Sequence, residues 1–447
     1  FPKEPNMTTK RITSFHPPRR TLLGPGPSDM NPRVMTALAQ PAIGYLDPAF
    51  VTMMEELKEL MRYAYQTTNP LTFPLSGPGS VGMEACFVNL VEPGDKVIVC
   101  RNGVFGGRMI ENVERCGGTP VILEETWGEP IEPQKLEDLL KANPDTKIVA
   151  FVHAETSTGA QSDAQALCDI ARRHGALTIV DCVTSLGGTP VLLDAWQADA
   201  TYSGSQKCLS CTPGLSPVSY SERAIEKVKA RTKGKVQSWF MDLNLVLAYW
   251  GETSRTYHHT APGNSLYGLH EALLLLKEEG LENAWARHRR NHEALKAGVE
   301  AMGLKYVVKP EARLPQLNSV YIPEGIDDLT VRKTLLNDYN IEIGAGLGPL
   351  AGKIWRFGLM GYSSQPTNVL LLLSALSAVL GEMGYRHDAG AAEAAAHHAY
   401  AAQHAEAARA GTAALRACSR RLRSRWWRSR YRSPRGSSRR SARTGRR

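Results

Sequence analysis

The chain has no uninterrupted apolar run long enough to cross a membrane. Its longest run, from Val369 to Leu380, is broken by two serines and falls short of the roughly 20 residues that a spanning helix needs. No charged segment followed by an apolar stretch opens the sequence, so we expect no secretory leader. These absences favour an intracellular protein. We expect a cytoplasmic location, with a peroxisomal or mitochondrial origin as the alternative.

Cysteine is scarce, and its spacing argues against a disulfide framework. The eight cysteines are scattered at positions 86, 100, 116, 168, 182, 208, 211 and 418. Cys208 and Cys211 form a C-x-x-C pair, which could indicate redox chemistry or half of a zinc site. Without a second pair we favour small packed thiols. Adjacent His258 and His259 would face opposite ways on a strand, so we expect no metal.

The body of the chain lacks any excess of positive charge. Fifteen arginines against three acids give the tail from His387 a charge of +12, and the total of +9 therefore leaves −3 for the preceding 386 residues. A mildly acidic body does not attract nucleic acid or anionic membranes broadly.

The tail itself contains no lysine and is rich first in alanine, then in arginine and serine, with Trp426, Trp427 and Tyr431. Arginines and aromatic side chains could bind nucleic acid, which is a second class of function. The composition also resembles out-of-frame translation of GC-rich DNA. We expect residues 386–447 to be disordered, with a helix over the Ala-rich part.

From Pro70 to about Tyr220, strand-like and helix-like segments alternate, and this predicts a mostly parallel sheet between helices. Apolar runs predict strands at Lys96–Cys100, Thr119–Leu123, Lys147–Val152 and Leu177–Asp181. After Asn264 the pattern changes to longer helices and short strands. We therefore predict an arm at 1–20 whose first six residues resemble a cloning remnant, a large domain at 21–263 and a small α+β domain at 264–385.

A lysine lies about twenty-five residues beyond an aspartate that ends a strand-like run. Lys207 closes the stretch Ser203-Gly-Ser-Gln-Lys207, and Asp181 follows Ile179-Val180. A pyridoxal-phosphate (PLP) enzyme needs such a pair, because the lysine can form a Schiff base with the cofactor aldehyde and the carboxylate can hold the pyridine nitrogen protonated. This pair predicts an aminotransferase.

A glycine-rich loop precedes the helical pattern Met83–Val91. Ser76-Gly-Pro-Gly-Ser80 would present backbone amides to a phosphate at a helix N-terminus. The letters Gly77-x-Gly79-x-x-Gly82 also spell a dinucleotide fingerprint, but the next strand ends at Arg101 rather than at a ribose-binding acid. We reject the nicotinamide interpretation.

From Thr21 to Gly384 the chain resembles the class V, fold type I aminotransferases, most closely those of alanine:glyoxylate or serine:pyruvate type. The matching motifs, in order, are Leu23-Gly-Pro-Gly-Pro27, Asn69-Pro-Leu71, Glu155-Thr-Ser-Thr-Gly159, Ser185-Leu-Gly-Gly-Thr-Pro190, Tyr202-Ser-Gly-Ser-Gln-Lys207, Tyr257-His-His-Thr260, and Gly346-Leu-Gly-Pro349 with Arg356. The resemblance implies an α/β fold with a mostly parallel seven-stranded sheet.

The same resemblance implies roles for single residues. Lys207 would anchor the cofactor and move the proton, Asp181 would pair with the ring nitrogen, and Phe105 would stack on the ring. Arg356 would hold the substrate carboxylate, with Gly26 and Thr156 completing the pocket. The implied phosphate ligands are Gly79, Ser80 and Gln206, together with Tyr257 and Thr260 of a neighbouring subunit.

Two phosphate-loop positions depart from the family pattern. Pro78 and Ser80 stand where relatives often carry serine and histidine, and Pro78 has no N–H to donate.

The implied activity is transfer of an amino group from alanine to glyoxylate in a homodimer with shared sites. Serine and pyruvate form the near alternative. A cysteine desulfurase of the same fold would need a mobile cysteine near the small domain, and no cysteine occurs between Cys211 and Cys418.

Overall fold

A computed structural model describes residues 12–251, 255–403 and 405. The chain divides into two compact units, Phe1–Ala396 and His397–Arg447. In the second unit the described residues, 397–403 and 405, are helical. Of residues 386–447, for which we predict disorder with a helix over the Ala-rich part, 391–403 and 405 are helical. The Arg-rich remainder, 406–447, lies outside the described residues.

The first half of the chain alternates strands and helices, as the sequence predicts. Its elements are β1 (Thr21–Leu22), α1 (Pro32–Leu38), α2 (Pro48–Tyr65), β2 (Leu71–Ser76), α3 (Gly79–Leu90), β3 (Lys96–Arg101), α4 (Val104–Arg115), β4 (Thr119–Glu124), α5 (Pro133–Ala142), β5 (Ile148–Val152), β6 (Ala154–Glu155), β7 (Ala160–Gln161), α6 (Ala164–Arg173), β8 (Leu177–Asp181), α7 (Leu193–Trp196), β9 (Ala200–Tyr202), β10 (Leu215–Tyr220) and α8 (Glu222–Lys229).

The second half is richer in long helices. Its elements are α9 (Leu243–Trp250), α10 (Gly263–Glu279), α11 (Leu281–Ala301), β11 (Leu317–Tyr321), α12 (Asp328–Asp338), β12 (Ile341–Glu342), β13 (Gly344–Ala345), β14 (Ile354–Gly358) and α13 (Pro366–Glu382). Short 3₁₀ turns occur at Pro310–Ala312, Gly348–Leu350 and Gly361–Ser363. None of the helices in the described residues combines the length and the apolar character that membrane crossing requires.

Seven strands form the central sheet in the order β2-β10-β9-β8-β5-β3-β4, and all are parallel except β10. The middle strands β5 and β8 are buried at every residue, which explains why their sequences are continuous apolar runs rather than alternating ones. The predicted mostly parallel seven-stranded sheet is confirmed. The carboxyl ends of its parallel strands meet at one edge, where loops of an α/β protein bind ligands.

Local chemistry fixes where the helices begin. In α2, the Asp47 carboxylate accepts a hydrogen bond from the Ala49 amide at 2.8 Å, and Pro48 occupies the first turn, where its missing N–H does no harm. Helix α3 begins at Gly79, four residues before the predicted start, and has no side-chain cap. Its first amides are therefore left for another partner.

A second, three-stranded antiparallel sheet has the order β11-β14-β13. The N-terminal strand β1 pairs with β12 in parallel, with Thr21 opposite Ile341, so that the loop after β1 is tied to the C-terminal part of the chain. The predicted domain boundary at residue 264 falls at the start of α10. This helix packs on α1 and α2, and its leucines Leu266, Leu269 and Leu273 belong to the main core.

Candidate active site

The first part of the site is a buried carboxylate at the end of β8. Asp181 is 2% exposed and accepts hydrogen bonds from the Val183 amide and the Tyr202 hydroxyl, each at 2.8 Å. The hydrogen bond from Tyr202 follows from the strand register, because Asp181 lies opposite Tyr202 on the adjacent parallel strand β9. Desolvation raises the pKa of Asp181 to about 7, against the lowering effect of these two donors.

Lys207 lies in the loop after β9, and its amine donates a hydrogen bond to the carbonyl of Pro25. Gly26 follows Pro25 in the loop after β1; its φ is +107°, and a Cβ atom there would lie 2.6 Å from the lysine nitrogen. Glycine is therefore required at this position both for the backbone conformation and for the approach of the amine. The predicted partners Lys207 and Gly26 are in contact.

The charge of Lys207 is weakened by its surroundings, although part of the side chain keeps access to solvent. Desolvation and the nearby Arg356 charge lower the pKa of the amine to about 8, while Asp181 opposes the shift. A lysine with this pKa is partly neutral near physiological pH. It can therefore act as a nucleophile or as a base.

Arg356 lies in the middle of β14 and is 6% exposed. Its Nε donates to the Ala345 carbonyl at 2.7 Å and its Nη1 to the Thr156 carbonyl at 3.0 Å, so the guanidinium plane is fixed. Burial lowers its pKa to about 10, against the raising effect of Glu155. Nη2 makes no hydrogen bond to the part of the chain that the structure describes, which leaves one corner of the cation for a ligand.

The N-terminus of α3 faces the same region. A Cβ atom on Gly79 would lie 3.3 Å from a methyl group of Val183 and 3.4 Å from the Ser203 carbonyl, which places this helix start beside the loops of Asp181 and Lys207. Ser80 is exposed in the first turn. The side-chain oxygen of Gln206 is buried without a hydrogen-bond partner among the described residues.

Phe105 and Thr156 come from the loops after β3 and β6. Phe105 is in the first turn of α4, half-buried, with the Arg108 guanidinium 4.8 Å from its ring centre. Thr156 is buried, and its hydroxyl shares a hydrogen bond with the hydroxyl of Thr184.

Tyr257 and Thr260 stand apart from this buried group. Both are exposed, Tyr257 by 56%, and their hydroxyls are 2.7 Å apart. Between them, His259 contacts the Ser76 hydroxyl at 2.8 Å, which ties the segment to the end of β2. His258 and His259 meet through their Nδ1 atoms at 2.8 Å, and Cys208 and Cys211 are both buried and unpaired with each other.

Three residues that act on the predicted site residues were not themselves predicted from the sequence: Tyr202, Thr184 and Glu155. Tyr202 opens the quoted motif that ends at Lys207, but its bond to Asp181 depends on the register between two strands. Thr184 acts on Thr156 from a different loop. Glu155 was noted only as part of a motif, although a carboxylate directly after a buried strand end is itself a signal.

The family model "Aminotransferase class-V" matches residues 35–364. A solved alanine–glyoxylate aminotransferase from Nostoc sp. is 47% identical with a TM-score of 0.81, over 83% of this chain and 97% of that chain. The ureidoglycine–glyoxylate aminotransferase of Bacillus subtilis is 40% identical with a TM-score of 0.85, over 87% and 100% of the two chains. Rat alanine–glyoxylate aminotransferase is 39% identical over 81% of this chain and 88% of its own.

A mostly parallel seven-stranded sheet with a lysine and an aspartate at its carboxyl edge defines a fold type I enzyme of the PLP-dependent class. The chain belongs to the class V aminotransferases, and it is a PLP-dependent transaminase. The residues present fit the cofactor. The first amides of α3 leave hydrogen-bonding capacity for a phosphate group, Asp181 offers a buried carboxylate, and Gly26 leaves room beside the Lys207 amine.

Proposed function

We propose that the protein transfers an amino group from L-alanine to glyoxylate, giving pyruvate and glycine in two half reactions. The observation that carries the proposal is the convergence of Lys207, Asp181 and Arg356 on one edge of the sheet. The 47% identity to a protein named for this reaction supports the choice of substrates. Serine as donor and pyruvate as acceptor remain the near alternative.

When bound, PLP supplies an aldehyde that an amine can attack and a ring that accepts electrons from the substrate α carbon. Lys207 is the residue that would hold this aldehyde, and its amine would carry a proton to and from the substrate α carbon. Its pKa of about 8 suits this exchange, because the amine is present in both protonation states at working pH. The Pro25 carbonyl keeps the amine oriented.

Asp181 would hold the ring nitrogen of the cofactor in its protonated form. Its pKa of about 7 reflects burial, and a positive ring nitrogen beside it would favour the ionised carboxylate. Tyr202 and Val183 each occupy one carboxylate oxygen, which fixes the plane of the group. This preorganisation lets the charge act in the transition state without rearrangement.

The phosphate end is bound by Gly79, Ser80 and Gln206. Helix α3 directs its positive end and its free amides toward this position, which suits a dianion. Pro78 precedes the first helical amide and removes one donor from the loop. Hydrogen-bond donors from outside this loop therefore contribute more to phosphate binding.

Those additional donors are the hydroxyls of Tyr257 and Thr260, reaching the site of a neighbouring subunit in a homodimer. Their exposure in the single chain supports the proposal, since a ligand-binding hydroxyl at the surface is available to a second copy. Tyr45, whose ring centre is 6.3 Å from that of Tyr257, and Trp239, which is 63% exposed and stacks on His258 at 4.6 Å, extend this surface.

Arg356 binds the carboxylate that alanine and glyoxylate share. Its buried, fixed plane and its free Nη2 suit a charge-assisted hydrogen bond, and the Thr156 carbonyl beside it helps to fix that plane. Phe105 would stack on the cofactor ring. Both the amino donor and the oxo-acid acceptor would bind this one arginine through their carboxylates, which explains how a single pocket serves two half reactions.

(S)-ureidoglycine is a second candidate donor, favoured by one observation. The Bacillus subtilis relative named for that substrate is 40% identical over 92% of its own length. Both candidate donors can be tested against the same acceptor, glyoxylate.

The experiment is a visible absorption spectrum of purified protein, repeated after each candidate donor and then after glyoxylate, with Lys207→Ala as control. We expect alanine to bleach the Schiff-base band and glyoxylate to restore it, while the variant lacks the band. A band that responds to (S)-ureidoglycine or serine but not to alanine would refute the proposed donor and keep the enzyme class.

A further inference from the structure

Glu155 is a buried carboxylate that the proposed mechanism does not use. It ends β6 and is fully buried. Its Oε1 accepts hydrogen bonds from the Ser157 amide at 3.0 Å and the Ser157 hydroxyl at 2.6 Å. Its Oε2 has no hydrogen-bond partner within the described ranges. Burial raises the pKa of Glu155, while the hydroxyl and amide of Ser157 and the nearby amides of Phe105 and Gly106 oppose the shift.

This carboxylate packs against the first turn of α4. The Ser157 hydroxyl, which donates to Glu155, accepts a hydrogen bond from the Val104 amide at 3.0 Å. A Cβ atom on Gly103 would lie 2.3 Å from the Glu155 carboxyl carbon, so only glycine permits the approach. A negative charge at this end of the helix is favourable, because the free amides carry its positive dipole. Phe105 directly follows Val104 in this turn.

The other side of Glu155 continues into the substrate pocket. Thr156 follows it directly, and the Thr156 carbonyl accepts the 3.0 Å hydrogen bond from Arg356. The Glu155 charge also acts on Arg356, where it opposes the lowering of the arginine pKa by burial. One carboxylate thus adjoins both the residue that stacks on the ring and the residue that binds substrate.

We propose that Glu155 is a positioning residue whose carboxylate joins the first turn of α4 to the Thr156 loop and so holds Phe105 in place for the cofactor ring. The inference rests on the proposed function, because it takes Phe105 to be the stacking residue. Glu155→Gln would keep the volume but place an amide NH₂ group against the helix amides, where donor would face donor.

The test is a double-mutant cycle on the dissociation constant of PLP from apoprotein, using Glu155→Gln, Phe105→Leu and the double variant. We expect Glu155→Gln to weaken PLP binding about tenfold, the size typical of lost hydrogen bonds to a charged group. In the Phe105→Leu background the same change should weaken binding less than about twofold, because its target is already absent. Visible circular dichroism of bound cofactor should fall in Glu155→Gln.

Glu92→Gln is the matched control. Glu92 is also a buried carboxylate that accepts from two backbone amides, those of Thr232 and Lys233, but outside the site. Its substitution should lower stability and leave PLP affinity and circular dichroism unchanged. Should Glu155→Gln fail to fold, Ser157→Ala replaces it in the cycle, because it breaks the link between Glu155 and Val104 at the hydroxyl.

The outcomes separate the inference from the proposed function. If Phe105→Leu binds PLP weakly but the effects of the two substitutions on the dissociation constant are independent, Glu155 does not work through Phe105 and the inference is overturned. If Phe105→Leu binds PLP as tightly as the unchanged protein, the stacking role assigned under the proposed function is wrong, and the inference falls with it. A smaller effect of Glu155→Gln in the Phe105→Leu background, together with a loss of circular dichroism in Glu155→Gln, supports both.

Discussion

The two parts of the candidate site differ in how completely one chain builds them. Asp181 and Arg356 are 2% and 6% exposed, and each is fixed by two hydrogen bonds. Tyr257 and Thr260 are exposed and bond mainly to each other. The inner part, where charge and proton chemistry would occur, is preorganised within the chain. The outer part holds its polar groups at the surface.

This difference assigns separate tasks to the two parts. Electrostatic stabilisation is strongest where water is excluded and the dipoles are already oriented, as they are around Asp181. A surface hydroxyl contributes little until a partner covers it. Substitutions inside should therefore reduce turnover strongly, whereas substitutions outside should reduce cofactor affinity modestly and in a way that depends on the second subunit.

The largest effect should follow Lys207→Ala. We expect turnover to fall by about 10⁴-fold or more, because one residue serves as both nucleophile and base. Steady-state transamination measures the loss. Lys58→Ala, which removes another buried lysine in α2, is the control and should keep its activity per folded molecule. Comparable losses in both variants would mean that the effect is structural.

Asp181→Asn should rank next, with kcat reduced by about 10²- to 10³-fold, the range for removing one preorganised electrostatic group. The asparagine cannot accept from both Tyr202 and Val183 or stabilise a protonated ring nitrogen. Asp199→Asn is the comparison, since Asp199 is a buried carboxylate that accepts from the Thr178 amide outside the site. We expect Asp199→Asn to lower the stability of the protein without a matching loss of kcat.

The strands of the central sheet could be predicted from the sequence for a physical reason. Strands such as Leu177–Asp181 are buried on both faces, so their apolar runs are continuous and their polar last residue stands out. The pairing of β1 with β12 joins two-residue strands about 320 positions apart, and segments that short carry no periodicity. It could be found only in three dimensions.

Contacts between loops were also beyond the sequence. Lys207 and Asp181 could be paired from the sequence because PLP chemistry needs both a lysine and a carboxylate. The hydrogen bond from Tyr202 to Asp181 could not be predicted, because it depends on the register of β8 and β9. The early start of α3 at Gly79 was missed, since a helix that opens with glycine after proline lacks the usual capping side chain.

Arg356→Leu should separate binding from chemistry. We expect KM for alanine and for glyoxylate to rise about 100-fold each, as when one partner of a buried charge pair is removed. Cofactor affinity should change little, because Arg356 contacts the Thr156 and Ala345 carbonyls rather than the phosphate end. A rise in only one of the two KM values would contradict a shared carboxylate site.

The pKa of Lys207 gives a prediction about pH. Only the neutral amine attacks an aldehyde, so apoprotein should capture PLP faster as pH rises, with a midpoint near 8 instead of near 10.5. The Arg356 charge contributes to this lowering, and Arg356→Leu should therefore move the midpoint upward. Stopped-flow absorbance across a pH series measures both midpoints. A midpoint that the variant does not move would exclude Arg356 as a cause.

The smallest effect, and the sharpest test of the outer part, should come from Tyr257→Phe. Loss of one hydrogen bond to the phosphate should weaken PLP about fivefold with little change in kcat at saturating cofactor. A hybrid dimer of one Lys207→Ala chain and one Tyr257→Phe chain then distinguishes the two arrangements. If sites are shared, the only site with Lys207 receives an unchanged Tyr257, and half-maximal activity requires the same PLP concentration as in the unchanged enzyme. If each chain completes its own site, Lys207 and the substitution coincide, and the hybrid shows the weakened affinity of the Tyr257→Phe homodimer. A hybrid of Lys207→Ala with an unchanged chain sets the reference, so that a fivefold difference in PLP requirement decides whether the exposed hydroxyls act within their own chain or across the interface.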